Sequence, residues 1–294
     1  MVRARNSGPD SKPSPPGIGV QKRHFAISLP ALLCAGVLAG LGACATPSAR
    51  FDREALRLGF HSREVAGTGF SHVLYHRDTP QNPHLLHVYL EGDGSPRSAM
   101  RYRPPDPTPQ GGLVLRLMAL DPAPSILLGR PCQHAVAPCD AFYWTLGRYS
   151  EEVVESLVAA LEAEREALGS PGVVLIGYSG GGALAMLMAE RVVHTRAVIT
   201  IAGNLDPARW ALHHGYTQLS GSLDPAKRPP LDPEILQIHL VAEEDERVPP
   251  ALTQHAIARQ PGARRRVLAE SDHTCCWESA WPALLDELAR ELAR

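Results

Sequence analysis

The chain has 294 residues, of which 44% are hydrophobic, 20% charged and 5% aromatic. That balance excludes a disordered, collagen-like or polytopic membrane protein and suits one large domain or two small ones. With 29 Lys and Arg against 31 Asp and Glu the formal charge is −2. No basic stripe with interleaved aromatics runs through it, so nucleic acid is not an expected partner.

In chain order, residues 1–19 are rich in Pro, Gly and Ser and too poor in apolar side chains to join a core. Lys22-Arg23-His24 then precedes an apolar run from Phe25 to Leu41 and the small-residue segment Leu41-Gly42-Ala43-Cys44, the three parts of a secretory signal in order. The run contains Pro30 and falls short of the ~20 apolar residues that a membrane span needs. This segment resembles the lipobox of bacterial lipoproteins. The resemblance implies cleavage before Cys44 and a lipid on its thiol. It further implies membrane anchorage through Cys44 on the periplasmic side of the bacterial envelope, the outer membrane in preference to the inner. A polar leader ahead of the basic patch is unusual, and translation is expected to begin near Val20. Removing residues 1–43 takes away five cations and one acid, leaving 24 basic and 30 acidic side chains and a body charged −6.

Of six cysteines, Cys34 lies in the signal and Cys44 is the lipid site, so Cys132, Cys139, Cys275 and Cys276 remain. Four thiols allow three pairings. Cys132 and Cys139 flank a Pro-bearing loop that they could close locally, leaving the adjacent pair to bridge each other or stay free. A zinc site with His134 competes, but no CxxC spacing is present and an oxidising compartment favours disulfides.

Residues 44–69 read as an N-terminal linker and 70–294 as one domain. Short β-branched or Leu-rich runs alternate there with helical ones, which predicts an α/β fold with a mostly parallel sheet and helices on both faces. Strands are expected at Val73–His76, Leu85–Leu90, Ser125–Leu128, Val173–Ile176, Ala197–Ala202, Ile238–Val241 and Arg266–Leu268. Helices are expected from Ser150 as N-cap to Leu168, at Gly181–Val193 and at Glu278–Leu292. Residues 204–234, Pro-rich and without clear period, are expected to form a small cap.

The chemistry centres on Val173-Val174-Leu175-Ile176-Gly177-Tyr178-Ser179-Gly180-Gly181. A buried strand runs into G-x-S-x-G and then into a small-residue helix start. A phosphate-binding turn is the rival reading, but no Lys follows the glycines and no G-x-G-x-x-G is present. The segment resembles the nucleophile elbow of the α/β-hydrolase superfamily, and the chain resembles uncharacterised α/β-hydrolase lipoproteins of bacteria. The resemblance implies a triad in the order Ser, acid, His. Ser179 is then the nucleophile. Asp245, in a strand–acidic turn–D-x-x-V-P segment, is the expected acid, with Asp206 and Glu244 as alternatives. His273, before the last helix, is the expected base.

An oxyanion hole needs two N–H donors. Gly180, after the nucleophile, supplies one. Leu90-Glu91-Gly92-Asp93-Gly94 resembles the H-G-x-G loop of lipases and esterases with Glu91 where His is usual, which makes Asp93 the second. Ionised carboxylates facing an oxyanion would oppose catalysis, so Glu91 and Asp93 are expected to be held away by partners such as Arg148 or Arg97. The segment Tyr143 to Tyr149 reads as core and cap packing. The function implied is hydrolysis of a small-molecule acyl substrate, a carboxylic ester first, with no metal or organic cofactor called for. The alternative is a non-catalytic envelope lipoprotein using the scaffold for binding.

Overall fold

The computed structural model describes residues 45–77, 84–94, 106–136 and 139–293. The leader, the signal and Cys44 lie outside these residues. Among them no helix is long and apolar enough to cross a membrane.

The elements follow the chain as α1 (Pro47–Arg57), β1 (His61–Ala66), β2 (Ser71–His76), β3 (Leu86–Leu90), α2 (Leu113–Ala119), β4 (Ser125–Leu128), α3 (Glu151–Ala167), β5 (Val173–Tyr178), α4 (Gly180–Ala189), β6 (Thr195–Ile201), α5 (Pro207–His213), β7 (Leu236–Ala242), α6 (Pro250–Ala258), β8 (Arg264–Leu268) and α7 (Trp277–Leu292), with 3-10 turns at Ala141–Trp144 and Pro225–Lys227. One eight-stranded sheet has the order β1-β2-β4-β3-β5-β6-β7-β8. β1 and β2 are antiparallel, as are β2 and β4, and every other pairing is parallel.

Of the linker expected at residues 44–69, the described part, 45–69, is instead part of this fold. Thr46 caps α1 by accepting the Ala49 N–H, Pro47 opens the helix, and Phe51 and Ala55 are buried one turn apart. β1 then adds the edge strand, pairing Arg63 with Leu74 and Val65 with His72.

The central strands are apolar on both sides, as a parallel sheet covered on two faces requires. Val173 and Leu175 of β5 pack with α3, α4 and α6 on one face. Val174 and Ile176 pack with α1, α2 and the Trp277 and Trp281 rings of α7 on the other. Each such side chain withdrawn from water contributes about 1.5–3 kcal/mol. Every residue of α4 is buried, so the helix that starts at the Gly-rich turn sits in the interior. Ser150 caps α3 as expected. The cysteines close locally, Cys132 to Cys139 and Cys275 to Cys276. His134 bonds the Tyr75 hydroxyl at 3.0 Å. The expected cap region carries α5 and the second 3-10 turn, anchored by buried Leu205, Ala211, Ala226 and Leu231.

Candidate active site

At the carboxyl end of β5, Ser179 has φ 53° and ψ −118°, a left-handed conformation that a non-glycine residue adopts only where its surroundings impose it. Three hydrogen bonds do so. The Ser179 N–H donates to the Ile201 carbonyl at 2.8 Å, and its own carbonyl accepts from Gly182 at 3.0 Å and Asn204 at 2.9 Å. A Cβ on Gly177 would collide with the Gly181 carbonyl, and one on Gly181 with the Leu90 carbonyl. These contacts explain why the turn is written in glycines.

His273 lies between β8 and α7. Its carbonyl accepts the Tyr178 hydroxyl at 3.0 Å and the Trp277 indole N–H at 3.1 Å, which fix the backbone from two sides. Its Nε2 lies 3.0 Å from Ser179 Oγ and its Nδ1 2.8 Å from Asp245 Oδ2. A proton on Nδ1, donated to the carboxylate, leaves the Nε2 lone pair for the serine O–H. Asp245 is buried, and its other oxygen accepts the N–H groups of Arg247 at 2.9 Å and Val248 at 2.8 Å. Both carboxylate oxygens therefore have partners. Asp206 instead caps α5 through the Arg209 N–H at 2.9 Å, and Glu244 is exposed. Of the three candidate acids, Asp245 is the one joined to His273.

Gly92 stands against the serine, where an added Cβ would come 3.3 Å from Ser179 Cβ. The Asp93 carboxylate fills the space in which a Cβ on Gly180 would sit, so the two expected oxyanion donors belong to adjoining residues. That carboxylate is 15% exposed. It accepts from Arg130 at 2.7 Å, from Arg148 at 2.9 Å and from the Tyr149 hydroxyl at 2.7 and 2.8 Å. Burial pushes its pKa up, but the charges of Arg148 and Arg130 and the bonds from Arg130 and Tyr149 outweigh that and bring it to about 2. Asp93 is thus ionised with its charge turned into the protein.

Glu91 departs from the expectation that a cation would hold it. It is buried, its Oε2 accepts the Gly92 N–H at 3.3 Å, and its Oε1 has no hydrogen-bond partner among the described residues. Burial raises its pKa to about 7 against the opposing Gly92 bond and the charges of Arg116 and Arg130. Neutralisation by burial, rather than pairing, removes its charge at slightly acid pH. Arg97 lies outside the described residues. Arg130 and Tyr149 had no signal that tied them to Asp93, because they stand 37 and 56 residues away in other loops.

Ser179 and His273 open on a cavity of about 640 Å³. Its walls combine Leu113, Leu146, Leu219 and Trp210 with Arg116, Arg148 and Arg247. Thr145, Leu146 and Arg148 bring the segment read as packing into the cavity itself.

No protein-family model and no curated protein sequence matches the chain. Solved structures do. An esterase from Pyrococcus furiosus matches with a TM-score of 0.56 at 11% identity over 83% of this chain and 95% of its own. An esterase/lipase from an uncultured bacterium matches with 0.58 at 13% over 91% and 100%. An alpha-beta serine hydrolase homologue from Coxiella burnetii matches with 0.50 at 12% over 79% and 97%. The chain has the α/β-hydrolase fold. Ser179 stands at the strand-to-helix turn between β5 and α4 of this sheet.

Proposed function

We propose that this α/β-hydrolase-fold protein is a serine hydrolase that cleaves carboxylic esters through Ser179, His273 and Asp245. The observation that carries the reading is the unbroken chain from Ser179 Oγ through His273 to Asp245, at 3.0 and 2.8 Å, opening on the cavity. Ser179 attacks the acyl carbon as its proton passes to His273 Nε2, and Asp245 keeps the ring oriented and balances the imidazolium. The N–H groups of Gly180 and Asp93 receive the developing oxyanion, a donor there being worth about 10²–10³ in turnover. The imidazolium returns its proton to the leaving alcohol. Water then gives a proton to His273 and its oxygen to the acyl carbon, releasing the acid and restoring Ser179.

Two of the solved neighbours bear the names esterase and esterase/lipase, which agrees with an ester bond as the one cut. Labelling with a fluorophosphonate probe tests the reading. Wild type is expected to label and Ser179→Ala to stay unlabelled. A folded wild type that takes no label would favour a non-catalytic binding scaffold.

The signal segment further supports lipidation at Cys44 and placement on the periplasmic side of the envelope. Metabolic labelling with a fatty-acid analogue is expected to mark the wild-type precursor's product and not that of Cys44→Ala. Equal labelling of both would overturn it.

A further inference from the structure

The exported body is acidic, with 30 acids against 24 cations from residue 44 onward, yet its cavity is lined by three guanidinium groups. Among the described lining residues the acids are Glu91 and Asp93. Asp93 is taken up by Arg130 and Arg148, so that cluster of three retains one net positive charge. Arg116 pairs with Glu278 at 2.9 Å and also donates to the Gly111 carbonyl. Glu91 is buried and uncharged at slightly acid pH.

Arg247 differs from the others. No carboxylate of the described residues lies within ion-pair distance of its side chain, although Glu243, Glu244 and Glu246 share its loop. Its backbone, by contrast, is fixed from three directions. The N–H donates to Asp245 Oδ1, and the carbonyl accepts the Trp210 indole N–H at 2.7 Å and His214 Nε2 at 2.9 Å. The charge acts on Tyr178, the residue before the nucleophile. An exposed guanidinium carried on a backbone held this firmly, with no counter-charge among the described residues, is placed for an anion that arrives from outside.

We infer that Arg247 is the anion-binding residue of the cavity and that the substrate is an ester bearing a carboxylate or phosphate group. The inference rests on the proposed esterase reading and names its substrate class. Arg247 lies two residues beyond Asp245, whose partner His273 touches Ser179, so the seat and the scissile bond share one cavity. The apolar wall of Leu113, Leu146 and Leu219 takes the uncharged part of the same molecule. The excess positive charge of an otherwise acidic protein also draws anions to this opening.

The test compares matched esters. One arm places the anion on the acyl side, 4-nitrophenyl hydrogen adipate against 4-nitrophenyl hexanoate. The other places it on the alcohol side, 1-butanoylglycerol 3-phosphate against 1-butanoylglycerol. In at least one arm wild type is expected to prefer the anionic ester in kcat/KM by roughly tenfold, the size of one charge-assisted contact. Arg247→Gln is expected to bring that ratio to about one, Arg247→Lys to keep part of it, and added salt to shrink it in wild type. A ratio near one in both arms, or one that Arg247→Gln leaves unchanged, overturns the inference. Calorimetric titration of Ser179→Ala with monomethyl adipate and methyl hexanoate separates this from the fate of the underlying reading. Absence of probe labelling removes the esterase reading, whereas equal binding of the two ligands removes the anion seat.

Discussion

Behind the His273 wall of the cavity Asp245 is held by two backbone N–H groups and an imidazole, and in the wall formed by residues 91–94 Asp93 is held by two guanidinium groups and a phenol. The first carboxylate is aimed through His273 at Ser179, and its other oxygen is supplied by backbone groups two and three residues on in the chain. The second is aimed away from Ser179 and is supplied from two other segments, Arg130 and the adjoining Arg148-Tyr149. A carboxylate that must orient an imidazole is best served by dipoles, which leave its charge available to the ring. A carboxylate beside an oxyanion must have its charge cancelled, and that takes cations. Glu91, two residues before Asp93 in the same loop, shows a third solution, since burial without a cation keeps it protonated to near neutrality.

Breaking the first wall has the largest expected effect. Asp245→Asn is expected to lower kcat by about 10⁴, because the amide favours the wrong ring tautomer, with little change in KM. Steady-state kinetics on a 4-nitrophenyl ester measures it. A loss below tenfold would mean that Asp245 is not the acid.

Breaking the second wall acts on stability before chemistry. Asp93→Asn leaves Arg130 and Arg148, 4% and 9% exposed, without their carboxylate. Uncompensated charge at that depth costs about 3–5 kcal/mol, read from denaturant midpoints with an unchanged slope. Asp93→Asn combined with Arg130→Met is expected to recover part of the loss, since one of the two stranded charges is gone. No recovery would place the cost elsewhere.

Glu91 sharpens the comparison through pH. Unfolded, it ionises near its ordinary value of 4.5, and folded near 7. Between those values the native state holds a proton that the unfolded state has lost, so this residue's contribution to stability falls as pH rises from about 4.5 to 7 and is level above. A rise of that size corresponds to a penalty of about 3 kcal/mol on the ionised form. Glu91→Gln is expected to unfold at higher denaturant than wild type at pH 8 and to match it near pH 5. An equal difference at both pH values would show that ionisation is not the cause.

The proposed triad could be read in the chain because each member sits in a local pattern. Ser179 follows a β-branched strand and precedes glycines, and Asp245 and His273 each follow a later strand in the required order. Of the hold on Asp93 only Arg148 was legible, as a cation wanted by a carboxylate beside the oxyanion loop; Arg130 and Tyr149 meet it only after β3, β4 and the approach to α3 are brought side by side. The same limit applies to the fold. The core strands announce themselves as apolar runs. β1 carries no such run, because HSREVA buries Val65 alone, as an edge strand does. α2 carries no helical stripe, because LVLRLMA is apolar almost throughout. α1 does carry a local signal, Thr46 as N-cap followed by Pro47 at the first helical position.

The smallest effect separates the two aspartates that competed for one role. Asp206 accepts one N–H at the start of a seven-residue helix and touches neither His273 nor Ser179. Losing that cap in Asp206→Ala costs about 1 kcal/mol, a shift of a few degrees in Tm. Turnover is expected to stay within twofold of wild type, because Asp206 serves the first turn of α5 alone, while the bonds from Trp210 and His214 that steady the Asp245 loop leave from later in that helix. A fall in kcat approaching that of Asp245→Asn would instead show that the base takes its orientation from β6, and that the 2.8 Å contact with Asp245 is not the one used in catalysis.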